Sequence, residues 1–176
     1  ILDACLAQDP NAHVACECFA TTDFVLIGGE ITTTAVVDYE KVARRVITKI
    51  GYTSKEVGLD GNTCKILNLI QTQSPDIAQG VDRGNIEEQG AGDQGIMFGY
   101  ASNESENYMP LAIVIAHKLV RYATMLRHEG KFKGARPDMK SQVTIDYTDE
   151  KPRIDTILMS VQHDEDVVMD DFKEFI

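Results

Sequence analysis

Apolar and polar positions along this chain change period several times, and each change predicts an element. A leading helix runs up to Asp9-Pro10. Alternation then predicts strands over residues 13–20 and 24–31, joined through Thr21-Thr22-Asp23 as a hairpin. Asp38 is placed to cap a helix whose Val42, Val46, Ile47 and Ile50 fall on one face, with Gly51 as its stop. A strand is expected over 65–73 and another over 96–101. Pro110 opens a helix through Arg127 and His128 with Ile115, Leu119, Tyr122 and Leu126 as its stripe and Gly130 as its end. Strands over 142–147 and 154–162, linked by the Thr148-Asp149-Glu150-Lys151-Pro152 turn, precede a final helix.

Hairpin strands alternating with helices predict an α+β fold, mainly antiparallel, with helices packed on one sheet face. One parity of 24–31 and of 65–73 would then leave an apolar face exposed, which calls for self-association. The length of 176 residues allows one domain or two small ones. The expected division is 1–101 and 102–176.

Composition narrows the function. Seventeen basic against 28 acidic residues give a net charge of −11, which argues against a nucleic-acid surface. No apolar run reaches the roughly 18 residues of a membrane span, and no signal peptide is visible, so the expected place is the cytoplasm. Cys5, Cys16, Cys18 and Cys64 read as reduced thiols buried as small hydrophobes. On a strand Cys16 and Cys18 share a face while His13 has the opposite parity, which disfavours zinc held by all three. His117, beside Lys118, reads as structural or exposed. The acidic residues from Asp164 to Glu174 read as the solvated face of the last helix.

The most informative stretch is Gly90-Ala91-Gly92-Asp93-Gln94-Gly95-Ile96-Met97-Phe98-Gly99-Tyr100. Glycine costs folding entropy, and chains accept it where the backbone needs positive φ or close approach. A turn into a strand is the simpler alternative. Before it lies a long segment without hydrophobic periodicity, of a length compact domains keep for lids and binding loops. Neither a P-loop nor a strand-linked Gly-x-Gly-x-x-Gly occurs.

With Val14-Ala15-Cys16-Glu17, Gly28-Gly29-Glu30-Ile31-Thr32-Thr33, Gln73-Ser74-Pro75-Asp76-Ile77, Gln79-Gly80-Val81-Asp82 and Arg136-Pro137-Asp138-Met139-Lys140-Ser141-Gln142-Val143, that stretch resembles the S-adenosylmethionine synthetase (methionine adenosyltransferase) family over nearly the whole chain. The family's upstream His-Pro-Asp-Lys motif and second glycine-rich signature do not occur. The chain is thus expected to be an internal piece, with doubtful activity alone.

The resemblance implies ATP and L-methionine as substrates, Mg²⁺ and K⁺ as cofactors, and a homodimer or homotetramer with sites between subunits. It implies Glu30 and Gln73 as methionine contacts, Asp138, Met139 (through its backbone) and Lys140 as ATP contacts, and Glu17 as a potassium ligand. Asp93 and Lys140 are the implied catalytic residues. The loop Gln73, Ser74, Pro75, Asp76, Ile77, Ala78, Gln79, Gly80, Val81, Asp82 and Arg83 is the implied gate. Two other readings stay open, a non-catalytic homologue that keeps the fold and dimer surface, and an acidic structural domain that binds a cation through Glu17.

Overall fold

Asp38 caps its helix as its position demands, accepting the backbone N–H of Lys41 at 2.9 Å. Gly51 closes the same helix in the left-handed region at φ 119°. The computed structural model describes residues 1–72, 84–88, 90 and 94–176. They fall into two compact units, Ile1–Met97 and Phe98–Ile176.

The first unit contains α1 (Leu2–Leu6), β1 (His13–Thr21), β2 (Phe24–Thr32), α2 (Tyr39–Ile50), the short pair β3 (Thr53–Ser54) and β4 (Leu59–Asp60), and β5 (Lys65–Gln71). The expected hairpin is present, with β1 and β2 antiparallel from Thr21↔Phe24 to His13↔Thr32. β5 joins the other side of β2, giving the order β1-β2-β5, and it runs parallel. The connection allows parallel pairing. The chain from β2 to β5 passes through α2 and a small hairpin, a crossover long enough to permit a return in the same direction.

One face of this sheet is covered. Val25 and Ile31 are each 5% exposed and Ile27 0%, and all three share one parity of β2. α2 packs against β5 and α1 against β1. Burial pushes the Tyr39 hydroxyl pKa up, with Cys5 and Cys16 nearby as further causes, so the start of α2 lies over the Cys16 side of β1. Asp9 ties the chain after α1 to the exit of β2, accepting from the Thr33 hydroxyl and the Thr34 N–H at 2.8 Å each.

The second unit contains α3 (Leu111–His128), β6 (Ala135–Asp146), β7 (Arg153–His163) and α4 (Met169–Phe175). β6 and β7 form an antiparallel pair with α3 across one face. Ser141 Oγ donates to the Ala116 carbonyl at 2.7 Å across that contact. Ala123, Phe132 and Phe172 form the core, with Met139, Met159 and Val161 packed around them. Glu104 holds the approach to α3, accepting from the Leu111 N–H and the Tyr147 hydroxyl at 2.8 Å each.

Several expectations need correction. Residues 94–100 are irregular, not a strand, and Ile96, Met97 and Phe98 are 83%, 87% and 93% exposed. A strand requires a hydrogen-bonded neighbour, and among the described residues none pairs with this run. The leading helix stops at Leu6. β6 begins at Ala135, seven residues before the expected 142, so Pro137 lies inside a strand. It sits where the register shifts between Ala135 and Met139, a break in the ladder that tolerates a residue without an N–H. On α3 the buried positions are Ala116 and Ala123, while Tyr122 is exposed. Of the expected stripe, Leu126 packs against the core and Ile115 and Leu119 are half-buried. Val46 and Ile50 are also exposed. Cys5 and Cys64 are buried, but Cys16 is only half-buried and Cys18 is exposed.

Candidate active site

The face of β1-β2-β5 opposite the helices carries the first group of candidate residues. Directly opposed residues of a ladder point to the same side, so the pairs Ala15↔Glu30, Glu17↔Gly28 and Glu30↔Gln71 place Glu17, Glu30 and Gln71 on one face. Glu17 and Glu30 are diagonal neighbours, a separation of about 7–8 Å in ordinary sheets. Gly28 lies between them without a side chain.

Gly29 has a backbone explanation. Its φ is +126°, and a Cβ built there would sit 2.1 Å from the Ala15 carbonyl oxygen. Gly29 is therefore required by the strand's own geometry and does not by itself argue for a ligand.

Both carboxylates are exposed and neither has an ion-pair partner among the described residues. Two like charges on one face, with Gln71 offering an amide donor and acceptor, favour a cation or an ammonium group. Gln71 was missed by sequence reasoning. Its parity on the strand was legible, but its place beside Glu30 depends on the parallel pairing of β5.

The second unit positions Asp138 at the end of the register break in β6, and Met139 and Lys140 where pairing resumes. Asp138 and Lys140 point to the exposed face, with Lys140 opposite Ser160. Met139 turns inward against Phe132 and Phe172. Among the described residues neither Asp138 nor Lys140 has an ion-pair partner. The Lys140 ammonium is thus available to a polyanion, while the side chain of Met139 serves the core and leaves only its backbone for a ligand. Just upstream Arg136 Nε donates to Asp164 at 2.9 Å, fixing the start of β6 against the end of β7.

Gln73, Asp93 and the loop 73–83 lie outside the described residues. Among the described residues no three His, Cys, Asp or Glu side chains come together as a metal-binding group. A hollow of about 480 Å³ beside Phe132, Phe172 and Phe175 contains none of the candidate residues. Among the described residues no helix is long and apolar enough to cross a membrane.

Residues 1–75 match the N-terminal domain of S-adenosylmethionine synthetase, and residues 88–176 match its central domain. The chain belongs to the S-adenosylmethionine synthetase family. It is 64% identical over 177 aligned residues to a protein of Mesoplasma florum named S-adenosylmethionine synthase, all of this chain aligning with 47% of that relative. Proteins of the same name from Mycoplasma capricolum and Mycoplasma mycoides are 62% identical, again over all of this chain and 46% of theirs. The chain thus spans about half the length of the curated relatives it matches.

Proposed function

We propose that the protein is a methionine adenosyltransferase acting in the cytoplasm, which forms S-adenosylmethionine, phosphate and pyrophosphate from ATP, L-methionine and water. The observation that carries this reading is the match of two successive domains of one synthetase family across most of the chain. In the reaction a lone pair of the methionine sulfur forms a bond to C5′ of ATP. The C5′–O bond breaks, its electron pair leaves with the triphosphate, and water then splits the triphosphate.

Two charges must be answered, a cationic sulfonium and a polyanionic leaving group. Glu30 receives the methionine ammonium through charge-assisted hydrogen bonds, with Gln73 as a second contact. Asp93 is the carboxylate assigned to the developing sulfonium. Lys140 answers the triphosphate, with Asp138 and the Met139 backbone holding ATP. Exposure of Glu30 and of Lys140, with no ion-pair partner for either among the described residues, supports these roles.

Mg²⁺, when bound, neutralises triphosphate oxygens, and K⁺ takes hard oxygen ligands. Glu17 supplies one such oxygen. The described residues do not by themselves build a magnesium site.

The open sheet face also bears Phe19, Leu67 and Leu69, which are 63%, 37% and 50% exposed. A second copy covers this apolar area, giving a homodimer or a homotetramer. Light scattering of the whole protein tests this, and a stable monomer at micromolar concentration would refute it.

The activity is tested by incubating the whole protein with ATP, methionine, Mg²⁺ and K⁺ and following S-adenosylmethionine by mass spectrometry. Product formation is expected. No product, together with no heat of binding for methionine or an ATP analogue, would overturn the reading in favour of a non-catalytic interaction module.

A further inference from the structure

Cys16 and Cys18 have no part in the proposed chemistry, yet their arrangement is distinctive. Both lie on β1, the edge strand of the order β1-β2-β5. Two residues apart on a strand, they share one face, opposite to the face that carries Glu17 between them. Cys16 is half-buried and Cys18 exposed, whereas Cys5 and Cys64 are 0% and 1% exposed. Burial pushes the Cys16 thiol pKa up, and the Cys18 thiol beside it raises it further. Cys16 is therefore held as a thiol, with Cys18 beside it open to solvent.

Geometry decides what such a pair can hold. Two residues along a strand advance by about 6.4–6.8 Å. That is the upper end of the roughly 4.4–6.8 Å range of Cα separations in disulfides, and side chains standing parallel from a strand do not converge. A direct S–S bond would be strained. An atom inserted between the sulfurs relieves that strain. Zinc wants four protein ligands in a closed site, and among the described residues no three His, Cys, Asp or Glu side chains come together. The fitting centre is soft and satisfied by two thiolate sulfurs.

We propose that Cys16 and Cys18 form a dithiol clamp on the edge strand β1, on the sheet face they share with Ile27, that captures a soft, thiophilic centre, of which a trivalent organoarsenical is the chemical type. With phenylarsine oxide the As=O bond is replaced by two S–As bonds. The oxygen leaves as water with the two thiol protons, and arsenic stays trivalent, so no oxidant or reductant is required.

The test uses the whole protein, reduced and freed of thiol, with phenylarsine oxide as the probe. Intact mass and free-thiol titration should show one arsenical that removes two thiols, resists washing with a monothiol and is released by a dithiol. Peptide mapping should place it on the peptide holding Cys16 and Cys18. Cys18→Ser, at an exposed position, and Cys16→Ser should each lose this wash-resistant adduct at least tenfold, while Cys5→Ser and Cys64→Ser keep it. The proposal is overturned if Cys18→Ser retains the adduct at the wild-type level, or if the adduct maps to other cysteines. Quantitative closure of a Cys16–Cys18 disulfide by mild diamide would equally overturn it, since the geometry would then not need an inserted atom.

Discussion

The unit Ile1–Met97 spreads its buried side chains along one face of a three-stranded sheet, whereas the unit Phe98–Ile176 gathers its own around aromatic rings. In the first, Val25, Ile27 and Ile31 follow one another at strand spacing. In the second, Phe132 stacks on Phe172 with ring centroids 5.1 Å apart and meets Phe175 at 4.8 Å. Their exposed faces differ too. The first presents two carboxylates without a described cationic partner, and the second sets a lysine and an aspartate side by side on a strand. In the reading proposed above, the first face would receive an ammonium group or a metal cation and the second a phosphate chain. The comparison teaches that in similar α+β packing the covered face supplies stability and leaves the other free to vary in charge.

The largest effects should come from the two cores. Ile27→Ala removes a fully buried branched side chain and should cost about 2–5 kcal/mol, and Phe132→Ala should cost about 3–5 kcal/mol. Hydrogen exchange should rise mainly over 13–32 in the first variant and over 132–172 in the second. Equal loss of protection across both units would break the distinction between them.

Next come the two open faces. In the whole protein Glu30→Gln should weaken methionine binding by about 1.5–3 kcal/mol, the worth of a hydrogen bond to a charged group, with little change for ATP. Lys140→Met should do the reverse, lowering ATP affinity or the chemical step. Calorimetry with each substrate separates them, and unchanged methionine affinity in Glu30→Gln would remove its assigned role.

A smaller loss is expected at the helix cap. Asp38→Ala leaves the Lys41 N–H without its acceptor and should cost about 1 kcal/mol in thermal or urea unfolding.

The smallest effects per residue concern pH and should be shared by both units. Backbone N–H groups hold carboxylates below their usual range, that of Thr34 for Asp9, of Asn62 for Asp60 and of Leu111 for Glu104. The Thr148 side chain and then its N–H do the same for Asp146. A folded pKa below the unfolded one gives stability that is full above the unfolded value. That stability fades as pH falls below about 4 and through the lowered folded values. Melting temperature should therefore drop on acidification below that point, and less so in Asp9→Asn and Glu104→Gln. An unaltered acid slope in both variants would show that these loop contacts contribute nothing.

Local signals were legible wherever one residue's chemistry suffices. Asp38 before a helical stripe, Gly51 after it, Pro110 before α3 and the short connection between β1 and β2 each mark a boundary through groups close in the chain. The family motifs around Glu17, Glu30 and Asp138-Met139-Lys140 were equally readable. Strand ends were not. The start of β6 at Ala135 needs β7 to pair with, and no local preference announces a strand through Pro137.

The sequence by itself determined the α+β class, the caps, the first hairpin and the family, because all of these depend on short-range periodicity and residue identity. Tertiary structure alone decided that β5 runs parallel to β2, that Gln71 stands beside Glu30, and that α3 packs through Ala116 and Ala123. It alone decided also that the run from Ile96 to Tyr100 forms no strand and that Cys18 faces water. Each of these depends on which segment arrives as a neighbour from far along the chain. Hydrogen-bond partners and buried faces are properties of pairs of segments, and no single segment carries them.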